Sequence, residues 1–489
     1  MYQFRSLPAR LTAATAALAL LSACGGGGGS GSITGGGAAV TPTPTPTPVA
    51  STCSLSARKD WVQAQMNEWY LFPETLPASI NPAAYADVQS FIDALTATAR
   101  AQRKDRYFTY ITSIAEENAY YNSGSSAGFG VRFSIDTAAR RLFVSESFEG
   151  APALTAGIDR GTEILSIGIS VSTLRTVSDI LASEGSAGIT NALGPSTAGT
   201  SRVLRVTDAA GTRNLTVTKA DYELTPVSSR YGAKVIDDGG RKVGYVNLRT
   251  FINTAETPLR NAFANFRAQG ITEVIVDLRY NGGGLVSIAD LVNNLMGRDR
   301  TTSTVANYVT FRPSKAVENE TVYFAPQSQS IAPTRVAFIG TTGSASASEL
   351  VMNTFVPYLG NRAALVGTNT YGKPVGQIAL DRSACDDRLR VIAFALENAN
   401  HQGAYYDGLA PFMGATCQAA DDVTRQLGDP LEASTKSALD FLAGRSCGAV
   451  ITSAPGDSAQ SDSIKLRTEM ELLSPERPST AQREVPGLF

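Results

Sequence analysis

Histidine is almost absent from the 489-residue sequence, which contains only His401. A single imidazole excludes sites that are built from several histidines, such as many zinc sites. Large blocks of like charge are absent too, and the formal net charge at pH 7 is −2. Nucleic-acid binding requires a basic surface, so we expect no nucleic acid as a partner. The 43% of hydrophobic residues is sufficient for a packed core, in a chain long enough for several domains.

The apolar run near the start of the chain is too short to span a bilayer as a helix. It covers residues 11–21, follows Arg5 and Arg10, and ends in Leu21-Ser22-Ala23-Cys24. This ending resembles a bacterial lipobox, so we predict that residues 1–24 direct export and that Cys24 is acylated. The Gly-rich and Thr-Pro-rich residues 25–52 would then tether the protein to a membrane. An ordinary signal peptide with a chance cysteine is the alternative.

The remaining cysteines are few and even in number. They are Cys53, Cys385, Cys417 and Cys447. In an exported protein such a set favours disulfide bonds, and three pairings are possible. We expect Cys385 to pair with Cys417, and Cys53 with Cys447. A metal site is disfavoured because no two of them have Cys-x-x-Cys spacing.

Four segments of different character follow the tether. Residues 53–122 have apolar residues at helical spacing, which predicts an N-terminal helical domain. Residues 126–222 contain short alternating strands, whereas residues 235–447 alternate strands with helices, which predicts an α/β domain with a covered sheet. Residues 448–489 are polar and rich in Pro and Ser, so we expect a poorly ordered tail.

The segment 126–222 resembles a PDZ domain. Gly128-Phe129-Gly130-Val131 begins an alternating strand, and segments similar to the short PDZ helix and its following strand begin at Ala151 and Asp159, in the expected order. The resemblance implies that the turn binds a peptide carboxylate through backbone N–H groups and that the next strand pairs with the peptide. Phe129, Gly130 and Val131 are therefore candidate peptide-binding residues. A generic β-rich domain is the alternative.

A run of small residues, Gly343-Ser344-Ala345-Ser346-Ala347-Ser348-Glu349, lies between a predicted strand and a predicted helix. The first turn of a helix has unpaired N–H groups, as an oxyanion hole requires. A nucleophilic serine also needs a base. His401 lies in a predicted loop, and Lys373 is the other candidate because burial would lower its pKa. An N-cap serine and a solvated lysine are the plain alternatives.

Three motifs in order resemble the C-terminal processing (tail-specific) protease family. They are the serine run at 344–349, Asp277-Leu278-Arg279-Tyr280-Asn281-Gly282-Gly283-Gly284, and Thr370-Tyr371-Gly372-Lys373-Pro374-Val375-Gly376-Gln377. The resemblance implies a multidomain α+β and α/β protein with a ClpP/crotonase-like catalytic core. It also implies a serine endopeptidase that needs no cofactor or metal.

The resemblance assigns roles residue by residue. Ser346 would be the nucleophile, Lys373 the base, and Gln377 the residue that orients the lysine. Oxyanion N–H groups would come from Gly283 or Gly284, and from Ala347. Ser348 stays an alternative nucleophile, because counting back from Lys373 by the family's spacing reaches Ser348.

Two short motifs point to other functions but lack their structural context. Residues 367–373 match a P-loop until Pro374 replaces the magnesium-binding Ser or Thr. Residues 124–128 match a nucleophile elbow but precede a strand instead of following one. We expect a protein or peptide substrate, in the cell envelope, on the periplasmic or outer side. A non-catalytic peptide-binding scaffold and a Ser-His esterase using His401 are the alternative functions.

Overall fold

The computed structural model describes residues 52–448, 451 and 470–489. The predicted signal peptide, Cys24 and all of the tether except residue 52 lie outside these residues, so the lipid anchor stays a prediction. Within the described ranges, no helix combines the length and the apolar character that crossing a bilayer would require.

The N-terminal unit contains four helices and one strand. Its elements are α1 (Leu55–Trp69), α2 (Val88–Leu95), α3 (Ala97–Ala101), β1 (Tyr110–Ser113) and α4 (Ile114–Ser123). Side chains cap the helices: Ser54 Oγ accepts from Ala57 N–H at 3.2 Å, and Asp87 Oδ1 accepts from Ser90 N–H at 2.7 Å. The apolar side chains of this unit belong to the same core as those of the third unit. The unit thus shares its core with the third unit, and it contains a strand, β1, besides the helices that the spacing predicts.

The second unit consists mainly of antiparallel strands. Its elements are β2 (Ser125–Gly128), β3 (Val131–Asp136), β4 (Arg141–Ser147), α5 (Pro152–Thr155), β5 (Glu163–Gly168), β6 (Arg175–Thr176), α6 (Val177–Leu193), β7 (Ser201–Asp208), β8 (Gly211–Thr218) and β9 (Ala220–Glu223). One sheet has the order β3-β4-β5-β7-β8, and β2 pairs with β9. Apolar side chains from the sheet and from α6 form a core of their own.

The third unit is α/β, as predicted. Its elements are β10 (Ala233–Asp238), β11 (Arg241–Asn247), α7 (Glu256–Ala268), β12 (Glu273–Asp277), α8 (Val286–Leu295), β13 (Val305–Phe311), β14 (Glu320–Tyr323), β15 (Arg335–Gly340), α9 (Ala347–Leu359), β16 (Ala363–Gly367), β17 (Val375–Arg382), β18 (Asp387–Asn398), β19 (Ala415–Gln418) and α10 (Ala433–Leu442). In an antiparallel sheet, β18 pairs with β1 and β13 along one edge, at residues 387–390 and 394–398, and with β17 along the other, while β14 pairs with β13.

The second sheet of this unit positions the site. Its order is β10-β11-β12-β15-β16-β19, and all its neighbours except β10 and β11 are parallel. Alternate residues of β12, β15 and β16 pack against α7, α8 and α9 on one face and against α10 on the other. The carboxyl ends of parallel strands lie at one edge of a sheet, so the loops after β12, β15 and β16 come together there.

The tail differs from the expectation of a poorly ordered segment. Residues 470–489 include β20 (Glu471–Leu472) and α11 (Thr480–Glu484), and β20 pairs antiparallel with β3. Leu473, Leu488 and Phe489 are each no more than 3% exposed. Composition misled here because the few apolar residues of this segment are the ones that it buries.

The expected disulfide pairing is wrong. The bonds join Cys53 to Cys385 and Cys417 to Cys447. The start of α1 lies against the hairpin of β17 and β18, where Arg58 pairs with Asp387 at 2.5 Å, and this contact brings Cys53 to Cys385. Cys417 lies on β19, against which α10 packs before the chain reaches Cys447.

Candidate active site

Three loops meet at the carboxyl edge of the parallel sheet. They are the glycine-rich turn after β12, the serine run after β15, and the segment before β17 that carries Lys373. Ala345 N–H donates to Asn281 O at 3.0 Å, which joins the first two loops. Tyr371 N–H donates to Ser344 O at 2.9 Å, which joins the second to the third. The three motifs of the sequence are therefore in contact.

The three serines of the run have different surroundings. Ser344 Oγ donates to Leu278 O at 2.8 Å, Ser348 Oγ donates to Asn281 O at 2.9 Å, and both residues are 0% exposed. Ser346 is partly exposed and is the N-cap of α9, with φ +55°. A positive φ is unfavourable for serine, and such strain clusters at functional sites. Of the three hydroxyls, that of Ser346 is the one presented at the surface of the site.

Lys373 lies at the end of the third loop, where its Nζ contacts side chains of the same chain. Its Nζ donates to Gln377 Oε1 at 3.2 Å and lies 5.0 Å from the centroid of the Phe108 ring. Gln377 Nε2 donates in turn to Phe108 O, so the amide is held in one orientation. Burial lowers the pKa of Lys373 below the usual value for lysine, against the opposing charge of Glu484.

The buried carboxylate of Glu349 joins the serine to the lysine, a role that was not predicted from the sequence. Glu349 Oε2 accepts from Ser346 N–H at 3.0 Å and from Lys373 N–H at 2.7 Å. Its Oε1 accepts from Thr370 Oγ1 at 2.6 Å and from Gly372 N–H at 2.7 Å. Burial raises the pKa of Glu349, and these four donors oppose that rise. The signal in the sequence is an acidic residue at the third position of a helix, the position of a capping box.

Two of the predicted oxyanion donors, Gly283 and Ala347, lie beside Ser346. A Cβ on Gly283 would lie 2.9 Å from Ser346 Cβ and 3.3 Å from Ala347 N, so the turn touches the serine only because it has no side chain there. Gly283 N–H already donates to Asn281 Oδ1 at 2.9 Å, which argues against Gly283 as a donor. Ala347 begins the helix, so its N–H has no acceptor within it.

Gly284 is the remaining candidate in the turn. It forms a parallel bridge with Phe251, in which Phe251 N–H donates to Gly283 O and Leu285 N–H donates to Phe251 O. Neither bond uses the N–H of Gly284. The geometry thus favours Gly284 and Ala347 as the pair of donors.

The predicted peptide-binding residues lie at the start of β3. Gly130 N–H and Val131 N–H both donate to Phe489 O, at 2.9 and 3.3 Å, whereas Phe129 is fully buried. Gly130 has φ +71°, and a Cβ there would lie 2.0 Å from Ala151 Cβ, so glycine is required at this position.

The alternative motifs have other roles in the structure. His401 is 65% exposed, lies 3.1 Å from Glu397, and stacks on Tyr308 at 4.2 Å. In the P-loop-like segment, the N–H groups of Gly372 and Lys373 are bonded to Glu349. Residues 125–128 of the elbow-like motif form β2, which pairs with β9 in a two-stranded sheet. Among the residues with described positions, no group of three or more His, Cys, Asp or Glu could hold a metal ion.

Family profiles match two stretches of the chain. The profile of peptidase family S41 matches residues 242–409, and that of the peptidase S41 N-terminal domain matches residues 57–110. The first stretch contains all three loops of the site, and the second runs from α1 to the start of β1.

Curated relatives and solved structures agree with the profiles. The chain is 25% identical over 368 residues to carboxyl-terminal-processing peptidase 3, chloroplastic, of Arabidopsis thaliana, covering 74% of this chain and 66% of the relative. It is 27% identical over 275 residues to the chloroplastic C-terminal processing peptidase of Tetradesmus obliquus, covering 53% and 54%. The match thus spans about half to two thirds of the length of these relatives. A crystal structure of a Bacteroides fragilis protein assigned to the S41 proteases is similar in fold, with TM-score 0.59, 20% identity, and coverage of 78% of this chain and 97% of that one.

Proposed function

Because profiles of peptidase family S41 match residues 242–409 and 57–110, we propose that the chain is a serine-type peptidase of this family, with Ser346 as nucleophile and Lys373 as general base. One observation carries the assignment: the Glu349 carboxylate accepts from the backbone N–H of both residues. A single buried group therefore sets the position of the serine relative to the lysine, which is what proton transfer between them requires.

The first step is attack by Ser346 Oγ on the scissile carbonyl carbon while neutral Lys373 accepts the hydroxyl proton. Burial of Lys373 favours the neutral amine, which is the form that can act as a base. Gln377 Oε1 holds Nζ in position. The resulting ammonium then gives its proton to the leaving amine, and an acyl-enzyme remains.

The negative oxygen of each tetrahedral intermediate requires fixed donors. We assign this role to Ala347 N–H, which directly follows Ser346, and to Gly284 N–H, in the turn whose Gly283 contacts Ser346. Water enters after the amine leaves and attacks the acyl carbon while Lys373 accepts its proton. The ammonium returns this proton to Ser346 Oγ as the second intermediate collapses, which releases the carboxylic acid and restores neutral Lys373. No cofactor takes part in this scheme.

The substrate that we propose is an exported protein or peptide, whose extended or C-terminal segment pairs with β3 of the PDZ-like unit through Gly130 and Val131. The relatives are named carboxyl-terminal-processing peptidases, which supports a C-terminal segment. The two disulfide bonds support an oxidising compartment outside the cytoplasm. With the lipobox-like ending at Cys24, they favour a lipid-anchored location in the cell envelope.

Single substitutions test the assignment. We expect Ser346→Ala and Lys373→Ala each to abolish cleavage of casein while the melting temperature stays close to that of the unmodified protein. Ser348→Ala is the matched control: it removes a buried hydrogen bond, costs about 1 kcal/mol of stability, and leaves cleavage in place. Loss of cleavage in Ser348→Ala with full activity in Ser346→Ala would overturn the choice of nucleophile. A serine-reactive probe, mapped to its modified peptide, provides a second readout.

A further inference from the structure

The tail of the chain occupies one edge of the second unit. Residues 471–473 pair antiparallel with β3, since Glu471 lies opposite Ile135 and Leu473 N–H donates to Phe133 O at 3.0 Å. The chain then leaves β3, and residues 487–489 return to continue the same antiparallel pairing, with Leu488 opposite Arg132. Two short segments separated by an excursion thus fill one edge of this strand.

The returning segment makes the bonds of an added strand. Phe133 N–H donates to Gly487 O at 2.8 Å, Phe489 N–H donates to Val131 O at 2.9 Å, and Gly130 N–H and Val131 N–H donate to Phe489 O. Gly130 and Val131 are two of the three residues predicted from the sequence to bind a peptide. A strand edge accepts one partner at a time, so a substrate peptide and this segment compete for the same bonds.

The side chain of the segment fills an apolar pocket of the second unit. Phe489 is 2% exposed and its ring centroid lies 5.9 Å from that of Phe133. It belongs to the same apolar cluster as Val177 and Ile180 of α6. Backbone pairing together with a buried apolar side chain is the way in which a sheet edge binds a peptide.

The tail also contacts two loops of the active site. Gly282 N–H, in the glycine-rich turn, donates to Glu484 O at 2.9 Å. Glu484 is 6% exposed, accepts from Tyr121 OH at 2.9 Å, and interacts electrostatically with Lys373. A Cβ on Gly343 would lie 2.5 Å from a methyl group of Leu472, so the tail also lies over the start of the serine run.

We infer that residues 470–489 are an internal peptide ligand that blocks both the groove beside β3 and the mouth of the active site. A substrate must displace this segment from β3 before it reaches Ser346. The segment also indicates the kind of ligand that the groove accepts, an extended peptide with an aromatic side chain after Gly-Leu. The expected effect of the tail on cleavage rests on the proposed function. The binding of the tail to β3 does not depend on that function.

The expected consequence is a loss of apparent affinity for peptides. When the binding-competent state is only a fraction of the population, the apparent dissociation constant rises by the inverse of that fraction. A covalently attached competitor is present at a high effective concentration, so the open fraction is small. Releasing the segment should therefore increase both peptide binding and cleavage.

The first experiment releases the segment in the full chain. Phe489→Asp places a carboxylate in the apolar pocket, and we expect kcat/KM for casein cleavage to rise about tenfold or more. Glu476→Ala is the control, because Glu476 is exposed within the same tail, and it should leave kcat/KM unchanged. Unchanged or lower kcat/KM in Phe489→Asp, at an unchanged melting temperature, would overturn the inference.

A second variant, Gly487→Ala, tests the same inference if Phe489→Asp does not fold. Gly487 has φ +87°, and a Cβ there would lie 2.7 Å from Arg132 Cγ and 2.9 Å from Phe133 O. Gly487→Ala should therefore weaken the pairing with β3 while leaving the pocket intact. We expect the same rise in kcat/KM, and a fall would count against the inference.

The binding experiment is independent of catalysis. A fluorescently labelled peptide with the sequence of residues 484–489 is titrated into the inactive Ser346→Ala chain, with and without Phe489→Asp, and anisotropy is recorded. We expect at least about tenfold tighter binding when Phe489→Asp is present, and no binding of a scrambled peptide. Equal affinities would overturn the inference. If both chains bind as expected but the unmodified protein cleaves nothing, the proposed function fails while the internal ligand stands.

Discussion

At the scale of single residues, the site depends on where three neighbouring hydroxyls point. Ser344 and Ser348 donate inward to carbonyl oxygens of the chain after β12, because the serine run packs against that turn. Ser346 lies between them at the N-cap, where the positive φ directs the chain outward. Spacing along the sequence could not separate Ser346 from Ser348, since the difference lies in their partners.

The pH dependence of kcat/KM should report Lys373. Its pKa is lowered from the usual 10.5 by burial, and the neutral amine is the base. The rate should therefore be low while the ammonium predominates and rise as the pH increases through the lowered pKa. Lys373→Arg should be inactive across the measured range because a guanidinium stays protonated. A pH–rate profile checks both expectations.

His401→Ala is the control for that profile. The imidazole is 65% exposed and contacts Glu397 and Tyr308, so its removal should leave the profile unchanged. If the fall in kcat/KM at low pH disappeared in His401→Ala, Lys373 would not be the base and a Ser-His mechanism would be favoured.

At the scale of elements, α9 and the loop before β17 are held together by one side chain. Each carboxylate oxygen of Glu349 accepts two hydrogen bonds, and all four donors come from the N-terminus of α9 or from residues 370–373. Glu349 lies in the first turn of α9, where its carboxylate accepts from the donors of the loop. Local sequence defined the helix start, and packing of the loop onto it created the shared site.

Glu349→Gln should raise the free-energy barrier for kcat by more than it lowers the free energy of unfolding. The amide NH2 group must face one of the two donor pairs, so two hydrogen bonds are lost and two donors face a donor. A displacement of about 1 Å between Ser346 and Lys373 would lower kcat about 100-fold. Steady-state kinetics and the rate of labelling by a serine-reactive probe measure the effect.

Thr370→Val is the matched control for Glu349→Gln. It removes one of the four bonds, the hydroxyl donor, and leaves the N–H groups of Ser346 and Lys373 on the carboxylate. The same hydroxyl accepts from the buried Leu409 N–H at 2.8 Å, so we expect a cost of about 1–3 kcal/mol of stability and nearly unchanged kcat. A similar loss of kcat in both variants would contradict a positioning role for Glu349.

At the scale of the whole molecule, buried ion pairs join the second and third units. Glu146 of β4 bonds to Arg249 of the third unit at 2.6 Å and to Arg132 of β3 at 3.2 Å, and all three are at most 1% exposed. Arg160 bonds to Asp421 across the same boundary at 2.8 Å. Buried charges at such an interface fix one relative orientation of the units, since any other leaves charges unpaired.

Glu146→Gln should destabilise the protein by about 3 kcal/mol at neutral pH, because the buried Arg132 loses its carboxylate partner while Arg249 keeps Glu149 at 2.7 Å. Burial alone would raise the pKa of Glu146, but Arg249 and Arg132 hold it below its usual range. A lowered pKa in the folded state contributes stability above the ordinary carboxyl pKa, and this stability is lost as the pH falls through the folded value. The difference from the unmodified protein should therefore shrink in acid. Urea unfolding at neutral and acidic pH measures it.

Glu163→Gln is the control for the buried pair. Glu163 pairs with Arg141 at 2.6 Å, but the arginine side chain is 50% exposed, so the expected cost is within about 1 kcal/mol. Equal costs for the two substitutions would show that burial does not distinguish these ion pairs.

The α/β architecture of the third unit and the three loops of the site could be predicted from local patterns. Hydrophobic periodicity is local, and motifs that follow successive parallel strands must emerge at the same edge of the sheet. Four features could not be predicted in this way: the partners of Cys53 and Cys417, the role of Glu349, the addition of β1 to the third unit, and the placement of residues 470–489. These depend on contacts between distant parts of the chain, where local pattern has no preference and packing selects the partner.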